Sequence, residues 1–177
     1  MLRLFAAIPA PDDVAETLVR LQRGVPGARW SPRENFHITL RFFGEINVRM
    51  AEDLDAELAA IVADPFEVAL KGAGHFGAED PHALWMGVAA NPALEALARK
   101  CELAAKRAGL ASERRPYAPH LTMAYLGRTQ LDRVMAFERQ HALFACEPWR
   151  VTWFGLYSSW TGKRASQYQL EREYRLG

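Results

Sequence analysis

The sequence contains few of the features that mark secreted, membrane-spanning and metal-binding proteins. Only two cysteines, Cys101 and Cys146, occur among 177 residues, and they form no C-x-x-C pair. This spacing excludes a disulfide framework and a cysteine-based metal or redox site. No segment approaches the ~20 consecutive apolar residues of a membrane span. The apolar run at residues 2–8 is too short for a secretion signal and leads directly into Pro9. We therefore expect a cytoplasmic protein that does not enter a membrane.

The chain also lacks a strong excess of charge of either sign. Its formal net charge is +1, so the whole molecule does not attract polyanions, and contact with nucleic acid must come from local basic clusters. Half of the residues are hydrophobic, enough to bury one substantial core or two small fused lobes. No linker or low-complexity segment divides the chain. We predict a single domain over residues 1–177.

Apolar periodicity predicts strands and helices in mixed order. The predicted strands cover residues 2–8, 36–43, 66–71, 83–89, 120–126, 149–157 and 166–172, and four helices lie between them, the third near 92–108 and the fourth near 131–143. Hairpins and crossovers both occur in this order. The pattern therefore favours an α+β fold over a doubly wound parallel sheet.

One short motif occurs twice, as H-I-T-L at residues 37–40 and as H-L-T-M at residues 120–123. Residues two apart in a strand share a face. His37 and Thr39 therefore lie on one face of their strand, and His120 and Thr122 on one face of theirs. A core would favour valine or leucine at these positions, so the repetition indicates function, with two histidines facing each other across a cleft.

These residue types suit phosphoryl transfer. Imidazole titrates near pH 6.5, so one histidine can act as a base and the other as an acid at neutral pH. A threonine hydroxyl can donate to a non-bridging phosphoryl oxygen. Metal binding is the alternative, but two histidines supply only two ligands, and no H-E-x-x-H motif accompanies them. We predict catalytic His37, Thr39, His120 and Thr122, with no metal and no cofactor.

The segments around both motifs closely resemble the signatures of the two-histidine phosphoesterases, specifically the bacterial and archaeal RNA 2′,3′-cyclic phosphodiesterases, historically called 2′-5′ RNA ligases. The resemblance covers residues 29–45, 115–123, the opening segment 3–9 and residues 156–159, and so spans nearly the whole chain. It implies two pseudo-symmetric lobes, each an antiparallel sheet backed by helices. Both motifs would then lie in the central cleft.

The resemblance also implies an activity and roles. The protein would hydrolyse an RNA-terminal 2′,3′-cyclic phosphate to a 2′-phosphomonoester without metal, and reversal of this chemistry would give 2′-5′ ligation. His37 would be the proton donor to the departing 3′ oxygen, and His120 the proton acceptor that activates water. The partners would be RNA 3′ ends, and we expect a monomer.

One position departs from this family. Members often carry an arginine five residues after the second histidine, where this chain has Tyr125. Arg41 lies two residues beyond Thr39 and would share its face in a regular strand, although a solvent-exposed strand position is the alternative. We predict Arg41, Tyr125 and Phe5 as substrate-binding residues. Aromatic residues near the motifs can stack a base or pack in the core: Trp30, Phe42, Tyr117 and Tyr125.

Two other functions remain open from the sequence. A non-catalytic module that holds RNA ends would use the same cleft, but asparagine or arginine would serve binding equally well. The retained histidine pair therefore favours an enzyme. A phosphodiesterase for a small cyclic nucleotide would use the same chemistry on a different substrate.

Overall fold

The computed structural model describes residues 1–177 and contains ten strands and four α-helices. The strands are β1 (Leu2–Pro9), β2 (Ala28–Trp30), β3 (His37–Ile46), β4 (Phe66–Val68), β5 (Leu70–Phe76), β6 (Ala83–Val88), β7 (His120–Leu126), β8 (Trp149–Val151), β9 (Trp153–Thr161) and β10 (Ser166–Arg175). The helices are α1 (Asp12–Leu21), α2 (Val48–Ala59), α3 (Pro92–Arg107) and α4 (Leu131–Gln140).

Eight strands form one antiparallel sheet in the order β10-β9-β1-β3-β7-β6-β5, with β2 paired to β7. The α+β prediction is thereby confirmed. The segments 66–71 and 149–157 each differ from the single strand that the sequence predicts. Each splits in two, because β4 and β8 leave the main sheet and pair with each other as a separate two-stranded sheet.

The large sheet consists of two four-stranded halves that meet between the motif strands. One half holds β10, β9, β1 and β3, and the other holds β7, β2, β6 and β5. The ladder that joins β3 to β7 contains one residue pair, Ile38 and Leu121. A single cluster of 37 buried residues runs beneath both halves. No helix is both long enough and apolar enough to cross a membrane.

Helix α3 supports the sheet, and its sequence contains residues that define where the helix begins and ends. Asn91 caps it by accepting a hydrogen bond from the Leu94 amide at 3.0 Å, and Pro92 occupies its first turn. Gly109 follows its end with a φ of +89°, a conformation that glycine adopts without strain. The buried face is Leu94, Leu97, Ala98, Cys101, Ala104 and Ala105. This face packs towards β3 and α2.

Tyr117 adds a second connection between the halves. It precedes β7, and its hydroxyl donates a hydrogen bond to the backbone oxygen of Thr39 at 2.8 Å. We predict that Tyr117→Phe lowers the free energy of unfolding by about 1 kcal/mol, the usual net worth of such a bond. Urea denaturation measures the change. Tyr157→Phe is the matched control, because the Tyr157 hydroxyl makes no hydrogen bond in the protein, and equal stability of the two variants would contradict the prediction.

Candidate active site

Each motif histidine is the first residue of its strand. His37 begins β3 and His120 begins β7. The next residues, Ile38 and Leu121, pair with each other across the strands and have no exposed surface. Because side chains alternate between faces, both histidines project from the face opposite this buried pair.

The threonines share the face of the histidines. When the Ile38–Leu121 register is extended by one residue in each direction, His37 lies opposite Thr122, and Thr39 lies opposite His120. Each histidine therefore has one threonine two residues along its own strand and the other threonine across the junction. The arrangement supplies two titratable rings and two hydroxyl groups on one surface.

Backbone carbonyl groups orient both imidazole rings in the same way. Nδ1 of His37 lies 2.6 Å from the Asn35 oxygen, and Nδ1 of His120 lies 2.7 Å from the Ala118 oxygen. A carbonyl oxygen only accepts, so Nδ1 carries the hydrogen in each ring, and Nε2 of the neutral form is the acceptor nitrogen. Nε2 of His37 is 3.0 Å from the Thr39 hydroxyl. Both rings thus keep Nε2 for proton transfer.

Aromatic rings enclose His37. The ring of Phe5 is tilted against it with the centroids 5.0 Å apart, and the ring of Tyr168 meets it edge-on at 5.3 Å. Phe5 and Tyr168 also contact each other at 5.0 Å. These contacts fix the imidazole and exclude water from two of its sides.

His120 has a corresponding pair of aromatic neighbours. Phe76 meets it edge-on with a centroid distance of 4.8 Å, and Trp85 lies at 6.2 Å. Trp85 packs so closely over Gly74 that a Cβ there would come within 2.3 Å of the indole. Glycine at position 74 is therefore required for Trp85 to reach His120.

Burial shifts the pKa values of both rings. Burial lowers the pKa of His37 from 6.5 to about 4. The hydrogen bond to Asn35 opposes this shift, and the positive charge that His120 can carry adds to it. Burial also lowers the pKa of His120, opposed by the hydrogen bond to Ala118. Both histidines are therefore neutral at pH 7, and a nearby negative charge would favour the imidazolium form.

A cleft of about 550 Å³ opens beside His37. Four of the predicted site residues line it, namely Phe5, His37, Thr39 and Tyr125. The other lining residues are Met1, Arg3, Phe42, Glu45, Ser159, Trp160, Thr161, Ser166 and Tyr168. His120 and Thr122 do not line this cleft, and their relation to His37 and Thr39 is set by the β3–β7 junction.

Each motif strand contains an irregularity just beyond its threonine. On β3 the partner of Thr39 is Ala7 and the partner of Arg41 is Ala6, so two steps on β3 match one step on β1. The register between β7 and β6 shifts in the same way, between Thr122 and Ala124. Such a bulge adds one residue and reverses which side chains face the cleft.

The bulges bring position five after each histidine into the cleft. These residues are Phe42 on β3 and Tyr125 on β7, and both are more than two-fifths exposed. The guanidinium of Arg3 lies 5.1 Å from the centre of the Phe42 ring. The sequence alone indicates only that Phe42 can stack a base or pack in the core. Family members often carry an arginine five residues after the second histidine. That arginine could have indicated that this position faces the cleft, and by the repeat of the motif that the same position after His37 does so too.

The prediction that Arg41 shares the face of Thr39 is wrong, because the bulge lies between them. Nε of Arg41 donates to the Glu102 carboxylate, and Nη2 donates to the Ala111 oxygen at 2.9 Å. Arg41 lines a separate groove towards residues 109–115. Arg41 therefore does not supply a cation to the histidine cleft.

Metal-ligating side chains do not cluster in the molecule. No three residues of the types His, Cys, Asp and Glu come close enough together to hold an ion. His75 pairs with the Glu138 carboxylate, which raises its pKa. This histidine is occupied by a structural contact between β5 and α4.

Comparison with known proteins places these features in a family. The model of the LigT-like phosphoesterases matches residues 8–85 and 87–166, with one His-x-Thr motif in each segment. A curated relative from Geobacillus stearothermophilus, named RNA 2′,3′-cyclic phosphodiesterase, is 34% identical over 127 residues, which cover 68% of this chain and 40% of the relative. An Aeropyrum pernix protein of the same name is 36% identical over 93 residues, covering 51% of this chain and 53% of the relative. The matched segments thus span about half the length of these relatives or less.

The fold also matches a solved structure over nearly its full length. The crystal structure of Escherichia coli LigT in complex with 3′-AMP superposes with a TM-score of 0.80 at 24% identity, covering 99% of this chain and 98% of that one. At this identity the match concerns the fold. The doubled sequence match, the curated relatives and the shared architecture agree, and the chain belongs to the LigT-like phosphoesterase family.

Proposed function

We propose that the protein hydrolyses the 2′,3′-cyclic phosphate at RNA 3′ ends to a 2′-phosphomonoester, the activity for which its curated relatives are named. The observation that carries the proposal is the matched pair of histidines, each held through Nδ1 by a carbonyl two residues earlier. Two such rings provide an acid and a base without a metal. When the 5′-hydroxyl of a second RNA end takes the place of water, its oxygen bonds to phosphorus, the bond to the 3′ oxygen breaks and a 2′-5′ phosphodiester forms, so we treat 2′-5′ ligation as a secondary activity of the same site.

The proposed step follows from these groups. Nε2 of His120 takes a proton from water as the water oxygen bonds to phosphorus. The bond from phosphorus to the 3′ oxygen breaks in line, and Nε2 of His37 gives its proton to that oxygen. The phosphate remains on the 2′ oxygen. Exchange of protons with solvent returns both imidazoles to their starting states.

The low pKa of His37 fits the role of acid once substrate is bound. The phosphodiester anion favours a proton on the nearby ring, and a protonated group with a low pKa is a strong donor to a leaving oxygen. His120 accepts a proton most readily when it starts neutral, which burial ensures. The family resemblance of the two motifs implies the same roles, with His37 as the proton donor and His120 as the proton acceptor.

The proposed role of Thr39 and Thr122 is to hold the phosphoryl oxygens. Each hydroxyl lies on the face of the histidines, and a donor aimed at developing negative charge lowers the barrier more than it strengthens binding. Thr39 already lies within hydrogen-bond distance of His37. Phe5 and Tyr125 would contact the terminal nucleoside, because both line the cleft.

We propose that residues 1–177 act as one domain and as a monomer. The buried cluster extends through both halves of the sheet, and the two motifs come from a single chain, so the site is complete within one copy. A cytoplasmic location stays a prediction. Among the alternatives, a small cyclic nucleotide would fill the same cleft, whereas a binding-only module would not require two neutral, carbonyl-anchored imidazoles.

We predict that His37→Ala and His120→Ala each reduce turnover of an oligonucleotide ending in a 2′,3′-cyclic phosphate by about 10² to 10⁴-fold. The double variant should resemble the single variants, because groups that act as a unit are not additive. His82→Ala is the matched control, since His82 is exposed and lies outside the cleft. If either motif variant keeps more than about a tenth of the activity, that histidine is not the acid or the base.

The pH dependence of the reaction forms a second prediction. We expect a bell-shaped kcat/KM whose two limbs belong to the coupled pair of histidines and lie below pH 6.5, because burial lowers both pKa values in the free enzyme. In the kcat profile the bell should move to higher pH, because the bound phosphate raises both values. EDTA should change neither profile. A sigmoid rise with pH, together with EDTA inhibition reversed by a divalent ion, would instead indicate a metal-bound hydroxide.

A further inference from the structure

A second groove, of about 250 Å³, continues from the histidine cleft. It lies between β2 and the turn that joins β9 to β10, so each half of the molecule contributes one wall. Four residues line both the cleft and the groove, namely Tyr125, Thr161, Ser166 and Tyr168. A ligand that leaves the cleft past Tyr125 therefore enters this groove directly.

The charge of the groove has one sign. Arg29, Lys163 and Arg164 line it, and no aspartate or glutamate does. All three cations are exposed, and none is paired with a carboxylate. By contrast, the histidine cleft contains both Arg3 and Glu45. The groove thus presents three unpaired positive charges beside a site for an anionic chain end.

The groove wall is held in place by Asn35, which also holds His37. The Asn35 side-chain amide donates to the Ser166 oxygen at 2.7 Å, while the Asn35 backbone oxygen accepts from His37. The turn closes with a hydrogen bond of 3.1 Å from the Gly162 amide to the Ala165 oxygen. A Cβ on Gly162 would lie 2.3 Å from that oxygen, so glycine permits the close approach. Lys163 and Arg164 therefore project from a turn of defined shape.

We propose that this groove binds the phosphates of the nucleotides that precede the terminal cyclic phosphate. The inference rests on the proposed function and assigns to this groove the preference for RNA of two or more nucleotides over a free cyclic mononucleotide. The chain of a bound RNA continues in the 5′ direction from the terminal nucleoside. The groove is continuous with the cleft, and the charged residues that line the groove are all positive.

Phosphate contacts by cations release counterions and make binding depend on salt. For single strands the slope of log affinity against log salt changes by about 0.7 for each cation engaged. Two lysine or arginine contacts therefore contribute a slope of about 1.4 on the same scale. A cyclic mononucleotide has no preceding phosphate and does not benefit from these contacts.

The test compares two substrates in two variants at several salt concentrations. The substrates are a nucleoside 2′,3′-cyclic phosphate and an oligoribonucleotide with the same terminal nucleoside. The variants are Lys163→Gln/Arg164→Gln and the matched control Arg99→Gln/Arg139→Gln, whose exposed arginines lie on α3 and α4 and line neither site. The groove variant should lose about 10-fold in kcat/KM on the oligonucleotide at low salt, and its salt slope should fall by about 1.4.

The mononucleotide separates this inference from the proposed function. We expect its kcat/KM to be unchanged in both variants, and the control variant to match the wild type on both substrates. Equal losses on the two substrates would mean that the turn supports the histidine site, and no loss on either would mean that RNA does not use the groove; both results overturn the inference. If the wild type cleaves neither substrate, the proposed function itself has failed.

Discussion

The junction between β3 and β7 is the constraint on which the site depends. Ile38 and Leu121 pair there with no exposed surface, and the alternation of side chains then places the histidines and threonines of both motifs on the opposite face. A slip of one residue would bury the imidazoles and expose the aliphatic pair. The hydrophobic contact that joins the two halves of the sheet therefore also sets the geometry of the reactive groups.

The same packing makes the charged form of both imidazoles unfavourable, and an anionic ligand can offset this cost. Aromatic neighbours and burial take both rings away from water, and the pKa of His37 falls to about 4. Relative to 6.5, this shift corresponds to about 3 kcal/mol against the charged ring. A phosphodiester anion in the cleft offsets that energy, whereas a neutral ligand does not. In the proposed mechanism, His37 thus becomes an acid when an anion binds.

Much of this arrangement could be predicted from the sequence, because it depends on local patterns. The repeated His-x-Thr motif predicts both strands and the shared face, and the helix predicted near residues 92–108 agrees with α3. The bulges could not be predicted, since a register shift depends on the neighbouring strand. They explain why Arg41 leaves the cleft and why Phe42 enters it. The basic groove was also missed, because Arg29 and Lys163 are distant in sequence and meet only across the two halves.

The position of the phosphate in the product tests the central claim most directly. An oligoribonucleotide ending in a 2′,3′-cyclic phosphate is incubated with the protein in EDTA, and the product is mapped as a 2′- or 3′-phosphate. In-line departure of the 3′ oxygen, with His37 as its proton donor, predicts only the 2′-phosphate. A 3′-phosphate, or no product until a divalent ion is added, would contradict the account.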